Sequence, residues 1–77
     1  MDFNDPLEAL SWLKQTTMVM AYQEMFESLS HKVDQLPEIF LVGSFITSLK
    51  DEIILDVWVK QPKTLSEAIN VAHLIEE

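Results

Sequence analysis

The chain has no cysteine and no arginine, only one glycine and three prolines in 77 residues. Each shortage removes a class of explanation. Without cysteine there is no disulfide framework, and His31 and His73 alone make no Cys/His cluster for a structural metal. With Gly43 as its sole glycine, the sequence lacks the turn chemistry that all-β folds need. No apolar run approaches the ~18 residues of a membrane span. Met1-Asp2-Phe3-Asn4-Asp5 has neither the basic region nor the apolar core of a signal peptide. Cytoplasmic residence is the expectation, with nuclear residence equally open.

Basic charge is also scarce. Five lysines (Lys14, Lys32, Lys50, Lys60 and Lys63) face thirteen carboxylates, for a net charge of −8. Phosphate contacts come chiefly from Lys and Arg, and anionic membranes attract polybasic segments. Neither nucleic acid nor a membrane is therefore an expected partner. At this length a single domain over 1–77 is expected. A chain this short buries only about 60% of its unfolded surface. With disulfides and a metal set aside, oligomerisation is the remaining reinforcement for so small a core.

The rest of the sequence reads as helix, punctuated by proline. Asp5-Pro6 is an N-cap followed by proline at the first helical position, opening a helix to about Gln15 with Leu7, Leu10 and Leu13 at helical spacing. Thr16-Thr17 marks a break and a new cap. Val19, Tyr22, Phe26, Leu29 and Val33 then follow steps of three and four, one buried face of a second helix that stops before Pro37. Pro37-Glu38 starts a third helix, to about Leu49. It is apolar almost all round and so expected to be central. Lys50-Asp51-Glu52 opens a fourth, to about Lys60. Ile53 to Val59 has strand propensity, but a lone strand would have nothing to pair with. Thr64 and Glu67 form a capping box for a fifth helix carrying Leu65, Ala68, Ile69, Ala72 and Ile75. The fold class expected is all-α, a compact bundle of about five short helices.

Gln15-Thr-Thr-Met-Val19-Met-Ala-Tyr22-Gln-Glu-Met-Phe26-Glu-Ser-Leu29 resembles the major-homology-type segment of retroelement capsid proteins. Gln15, Val19, Tyr22, Phe26 and Leu29 fall on its frame. Leu36-Pro37-Glu38-x-Phe40-Leu41, Phe45-x-x-x-Leu49-Lys50-x-Glu52-Ile53 and Gln61-Pro62-Lys63-Thr64-Leu65-Ser66-Glu67-Ala68 are similar to the same family. So is the lead-in Phe3-x-Asp5-Pro6-x-x-Ala9-Leu10-x-x-Leu13. Together they resemble the capsid C-terminal lobe of gypsy-type LTR retrotransposon Gag proteins of the plant type, in a truncated or domesticated copy. The resemblance implies a helical lobe that works by protein–protein contact, through dimerisation and assembly. Thr17 and Ser48 stand where the family has glycine. Met20 and Ala21 replace a common Glu-Glu, and Ile54, Leu55 and Trp58 replace common basic residues.

Those apolar replacements mark the candidate interface. Ile54, Leu55 and Trp58, with Met18 and Met20, are the expected self-association residues, since exposed apolar patches mark association surfaces and Trp is enriched among interface hot spots. Ile54 and Trp58, four apart, lie on a face other than that of Ile53 and Val57. Met18, Met20 and Met25 suit gap filling in a core as well as an adaptable interface, and Trp12 suits core cover or interface equally. Gln15, Val19, Tyr22, Phe26 and Leu29 are expected to be structural, with Tyr22 needing a partner for its hydroxyl. His31 and His73 are expected on solvent-facing helix surfaces. Ser44 after Gly43 lacks the strand and second glycine of a nucleophile elbow. No catalytic constellation and no cofactor are expected. Two functions remain: a structural module that self-associates as a dimer or higher oligomer, and an adaptor lobe that holds another protein's helix or peptide in an apolar groove.

Overall fold

The computed structural model describes residues 5–33 and 35–76, so Phe3 and Asp34 lie outside the described residues. Among the described residues there are five helices and no strand: α1 (Pro6–Trp12), α2 (Val19–His31), α3 (Glu38–Thr47), α4 (Asp51–Val59) and α5 (Leu65–Glu76). The all-α expectation holds. The radius of gyration, 11.9 Å, is close to the ~11.5 Å expected for a compact chain of this length.

Local chemistry explains most helix ends. The Asp5 carboxylate accepts the Leu7 N–H at 3.0 Å, and Pro6 occupies the first turn, where its missing N–H costs nothing. α1 ends at Trp12, three residues short of the expected Gln15, because Leu13 turns extended (φ −68°, ψ 131°). The Gln15 N–H then donates to the Ser48 carbonyl, 2.9 Å away, instead of continuing the helix. α2 stops at His31, well before Pro37. Lys32 is its C-cap, and Gln35, further along the connection to α3, lies in the left-handed region (φ 62°). Pro37 is extended and serves as the N-cap of α3, not its first residue. At α5 the Thr64 hydroxyl accepts the Glu67 N–H at 3.1 Å, and the Glu67 carboxylate reaches back to the Lys63 N–H at 2.8 Å. That is the reciprocal logic of a capping box, displaced by one residue.

Two caps come from elsewhere in the chain. The expected Thr16-Thr17 cap of α2 is not formed; Met18 sits at the N-cap and its side chain makes no capping hydrogen bond. The Glu76 carboxylate, on the last turn of α5, accepts the Val19 N–H at 2.8 Å. Glu38, on the first turn of α3, accepts the Leu65 N–H of α5 at 2.9 Å. Part of the acidic surplus thus complements the positive ends of helix dipoles across the bundle.

The core is built on Phe26, Phe45, Ile46, Val19 and Val57, all fully buried. Tyr22, Phe26 and Phe45 form an aromatic cluster, with Phe26 and Phe45 edge to face at 5.3 Å between centroids and Tyr22 tilted on Phe45 at 5.0 Å. The central helix is α5, which packs on α2, α3 and α4. Ala68 and Ala72, four apart and fully buried, let those backbones approach. The expectation that α3 is central is corrected accordingly. Val42, Phe45 and Ile46 enter the core, whereas Ile39 is 82% exposed and Phe40 43%. An apolar stretch without clear periodicity does not say which side lacks neighbours.

Candidate functional surface

Gln15 is buried and ties the α1–α2 connection to α4 and α5. Its side-chain amide N–H donates to the Thr17 carbonyl at 2.9 Å and, at 3.4 Å, to the Glu76 carboxylate. Its carbonyl oxygen accepts the Lys50 N–H at 3.0 Å, at the N-cap of α4. Val19, Tyr22 and Phe26 are buried, and Leu29 is half-buried against the same core. The Tyr22 hydroxyl donates to the Phe45 carbonyl at 2.9 Å. Burial pushes the Tyr22 phenol well above its ordinary range, partly opposed by the neighbouring Ser48 hydroxyl. Every residue of this group is engaged inside the domain and offers no free group to a ligand.

The candidate interface residues fall into two sets. On α4, Ile53 and Val57 point into the core, and at about 100° per residue the opposite direction is that of Leu55. Asp51, Glu52, Trp58 and Val59 flank Leu55 on the outward face. Leu55 and Val59 are each 74% exposed and Trp58 is 41% exposed. Leu55 with Trp58 and Val59, at spacings of three and four, forms one continuous apolar stripe. Ile54 lies on the shoulder and is half-buried against the core, so it borders the stripe and does not crown it. Val59 belongs to the stripe although sequence reasoning missed it; its spacing from Leu55 was the available signal.

Met18 and Met20 stand elsewhere, at the start of α2, which packs on α1 and α5. Neither is a core gap-filler: Met18, Met20 and Met25 are all about half exposed or more. Met20 and Met25 are separated by about 140° around the helix, so they make no single stripe. Trp12 is 66% exposed and therefore covers little of the core.

A groove of about 270 Å³ runs between α1 and α3, floored by Leu7, Leu10 and Phe40 and edged by Ser11, Ser44, Thr47 and Ser48. No imidazole or carboxylate lines it to activate those hydroxyls. The Ser11 hydroxyl donates to the Glu8 carbonyl at 2.7 Å, and that of Thr47 to the Ser44 carbonyl at 3.4 Å. His31 is exposed, as expected. His73 is not; it is half-buried, with Nε2 2.6 Å from the Gln23 side-chain oxygen, bridging α5 and α2. Among the described residues no three His, Asp or Glu side chains converge on a metal-sized site, and no helix is long and apolar enough to cross a membrane.

Compared with known proteins, the chain matches no family model, no curated protein and no solved structure.

Proposed function

We propose that this protein is a non-enzymatic interaction module that self-associates through the outward face of α4, in the manner of a retrotransposon capsid lobe. The observation that carries the proposal is the stripe of Leu55, Trp58 and Val59, left in water on a helix whose other face is already fully used by Ile53 and Val57. Fully burying an aliphatic or aromatic side chain is worth about 1.5–3 kcal/mol. Completing the burial of three partly exposed side chains on each of two copies therefore supplies roughly 6–10 kcal/mol gross. Association costs at least about 4 kcal/mol in lost rigid-body freedom. The balance is a weak, concentration-dependent dimer. Polar residues at the edges, Asp51, Glu52 and Asp56, supply the rim such interfaces carry.

The family resemblance supports the same reading independently, because it implies a lobe whose work is protein contact. The adaptor alternative draws support from the α1–α3 groove, whose apolar floor and hydroxyl edge suit a short helix or peptide. The two differ in oligomeric state. Light scattering coupled to size-exclusion chromatography should show the parent shifting toward dimer as concentration rises. Leu55→Asp and Trp58→Asp should remain monomers with unchanged helical circular dichroism. Variants as oligomeric as the parent would show that α4 is the wrong surface; a parent that never leaves the monomer would favour the adaptor.

A further inference from the structure

Gln61, in the connection between α4 and α5 (residues 60–64), is held in the left-handed region at φ 52°. Its N–H donates to the Trp58 carbonyl at 2.9 Å, closing α4 with a turn that glycine ordinarily supplies. A residue with a Cβ is strained there, and Pro62 biases the residue before it toward extended backbone. The chain accepts this strain in order to fold back and lay α5 on its own bundle. An extended connection would release it.

The bundle cannot dispense with α5, which packs on α2, α3 and α4 and buries Ala68, Ile69 and Ala72 among them. Its polar contacts with other helices are the Leu65 N–H to Glu38, the Glu76 carboxylate to the Val19 N–H, and His73 to Gln23. None of these requires α5 to come from the same chain. The Tyr22, Phe26 and Phe45 rings and the bond from Tyr22 to the Phe45 carbonyl involve no atom of α5. An opened α1–α4 unit therefore keeps part of its core, and the helix that fits the space left by α5 is another α5.

We propose that two copies of this chain exchange α5, with residues 60–64 as the hinge. The exchanged pair makes every α5 contact of the closed chain twice over, across a two-fold axis, and short strained hinges favour such exchange. The proposal rests on the self-association reading above. Trp58 and Val59 form the last turn of α4, directly before the hinge, so copies that meet there bring their two hinges together. One left-handed residue with a side chain shifts an equilibrium by about 10-fold. Extending both hinges of a pair therefore favours exchange by about 100-fold.

The absence of cysteine allows exchange to be read by disulfide formation. One chain carries Gln23→Cys and an affinity tag; the other carries His73→Cys. These two side chains meet at 2.6 Å between α2 and α5. Neither chain can form the bond within itself, whereas an exchanged pair sets the two cysteines face to face. The chains are incubated together in a thiol–disulfide buffer over a range of concentrations and resolved by size without reductant. A chain with His31→Cys, exposed at the end of α2, replaces the His73→Cys chain to give the collisional level. Circular dichroism confirms that each chain is folded. The mixed disulfide should exceed the collisional level at least ~10-fold, and Gln61→Gly in both chains should raise the concentration for half cross-linking about 100-fold. The unmodified chain gives a second readout: on dilution its dimer should decay at the unfolding rate of the monomer, because α5 must undock. Cross-linking at the collisional level, cross-linking indifferent to Gln61→Gly, or a dimer lost within the mixing time overturns the exchange. If the parent still dimerises through Trp58 in those cases, self-association through α4 stands alone. Cross-linking that Trp58→Asp leaves unchanged supports the exchange and overturns the role given to α4.

Discussion

Replacing Gln15 with leucine removes a polar pin while nearly preserving its volume, and the structure allows the cost to be worked out. The Lys50 N–H, half-buried at the start of α4, loses its acceptor at 3.0 Å. A buried donor left unpaired costs about 1–3 kcal/mol, and partial solvent access places this one near the lower end. The Thr17 carbonyl loses a 2.9 Å donor but is on an exposed residue, so water replaces most of an interaction worth about 0.5–1.5 kcal/mol. Removal of the longer 3.4 Å contact to Glu76 adds little. The leucine side chain recovers roughly 1 kcal/mol through apolar burial. The net expectation for Gln15→Leu is a loss of about 1–2 kcal/mol, a large share of the ~4–12 kcal/mol available to a domain of this size. Urea unfolding followed by far-ultraviolet circular dichroism would register a midpoint lower by about 1–2 M, given a slope near ~1 kcal/mol/M. Measurements at low protein concentration keep association from masking the effect. A change below about 0.5 kcal/mol would refute the assignment of Gln15 as the residue that fastens the α1–α2 and α3–α4 connections together.

Substitutions at three further positions probe separate links in the account. Tyr22→Phe should cost about 0.5–1.5 kcal/mol through the lost bond to the Phe45 carbonyl. Because burial raises the folded-state pKa of this phenol above its unfolded value, the parent's stability should hold below pH ~10 and fall as pH rises beyond it. The variant should lack that alkaline decline, and phenolate absorbance in the parent should appear only with unfolding. Gly43→Ala should stabilise by about 0.5–1 kcal/mol, since an added Cβ in the middle of α3 meets nothing within 4 Å; a lower melting temperature would contradict the packing around α3. Gln61 is left-handed (φ 52°) immediately before Pro62. Gln61→Val should therefore lose about 1–2 kcal/mol while Gln61→Gly is neutral or slightly stabilising, and equal thermal midpoints for the two would argue against that backbone.

What the sequence made legible was whatever depends on near neighbours. Asp5-Pro6, Pro37 and Thr64 with Glu67 act within a turn of themselves, and the helix boundaries they suggested lie within a few residues of those found. The stripe of Val19, Tyr22 and Phe26 was readable because a single period governs it. The rest depends on partners far along the chain. Glu76 caps α2 from 57 residues away and Glu38 caps α5 from 27, so Thr16-Thr17 looked like the natural cap of α2. The central place of α5 rests on two alanines, which carry no hydrophobic emphasis in a sequence but permit close approach. The exposure of Ile39 and Phe40 was hidden for the opposite reason: an apolar residue declares a preference for burial, not the presence of a neighbour. On α4 the same ambiguity resolved outward for Leu55 and Val59 and inward for Ile54. That division is the basis of the candidate surface.

Sedimentation equilibrium of the unmodified chain, from micromolar to near-millimolar concentration at physiological salt, tests the central claim most directly. The account predicts a reversible monomer–dimer equilibrium that Trp58→Asp shifts to monomer without loss of helical signal. A chain that stays monomeric throughout, or a dimer indifferent to Trp58, would contradict it.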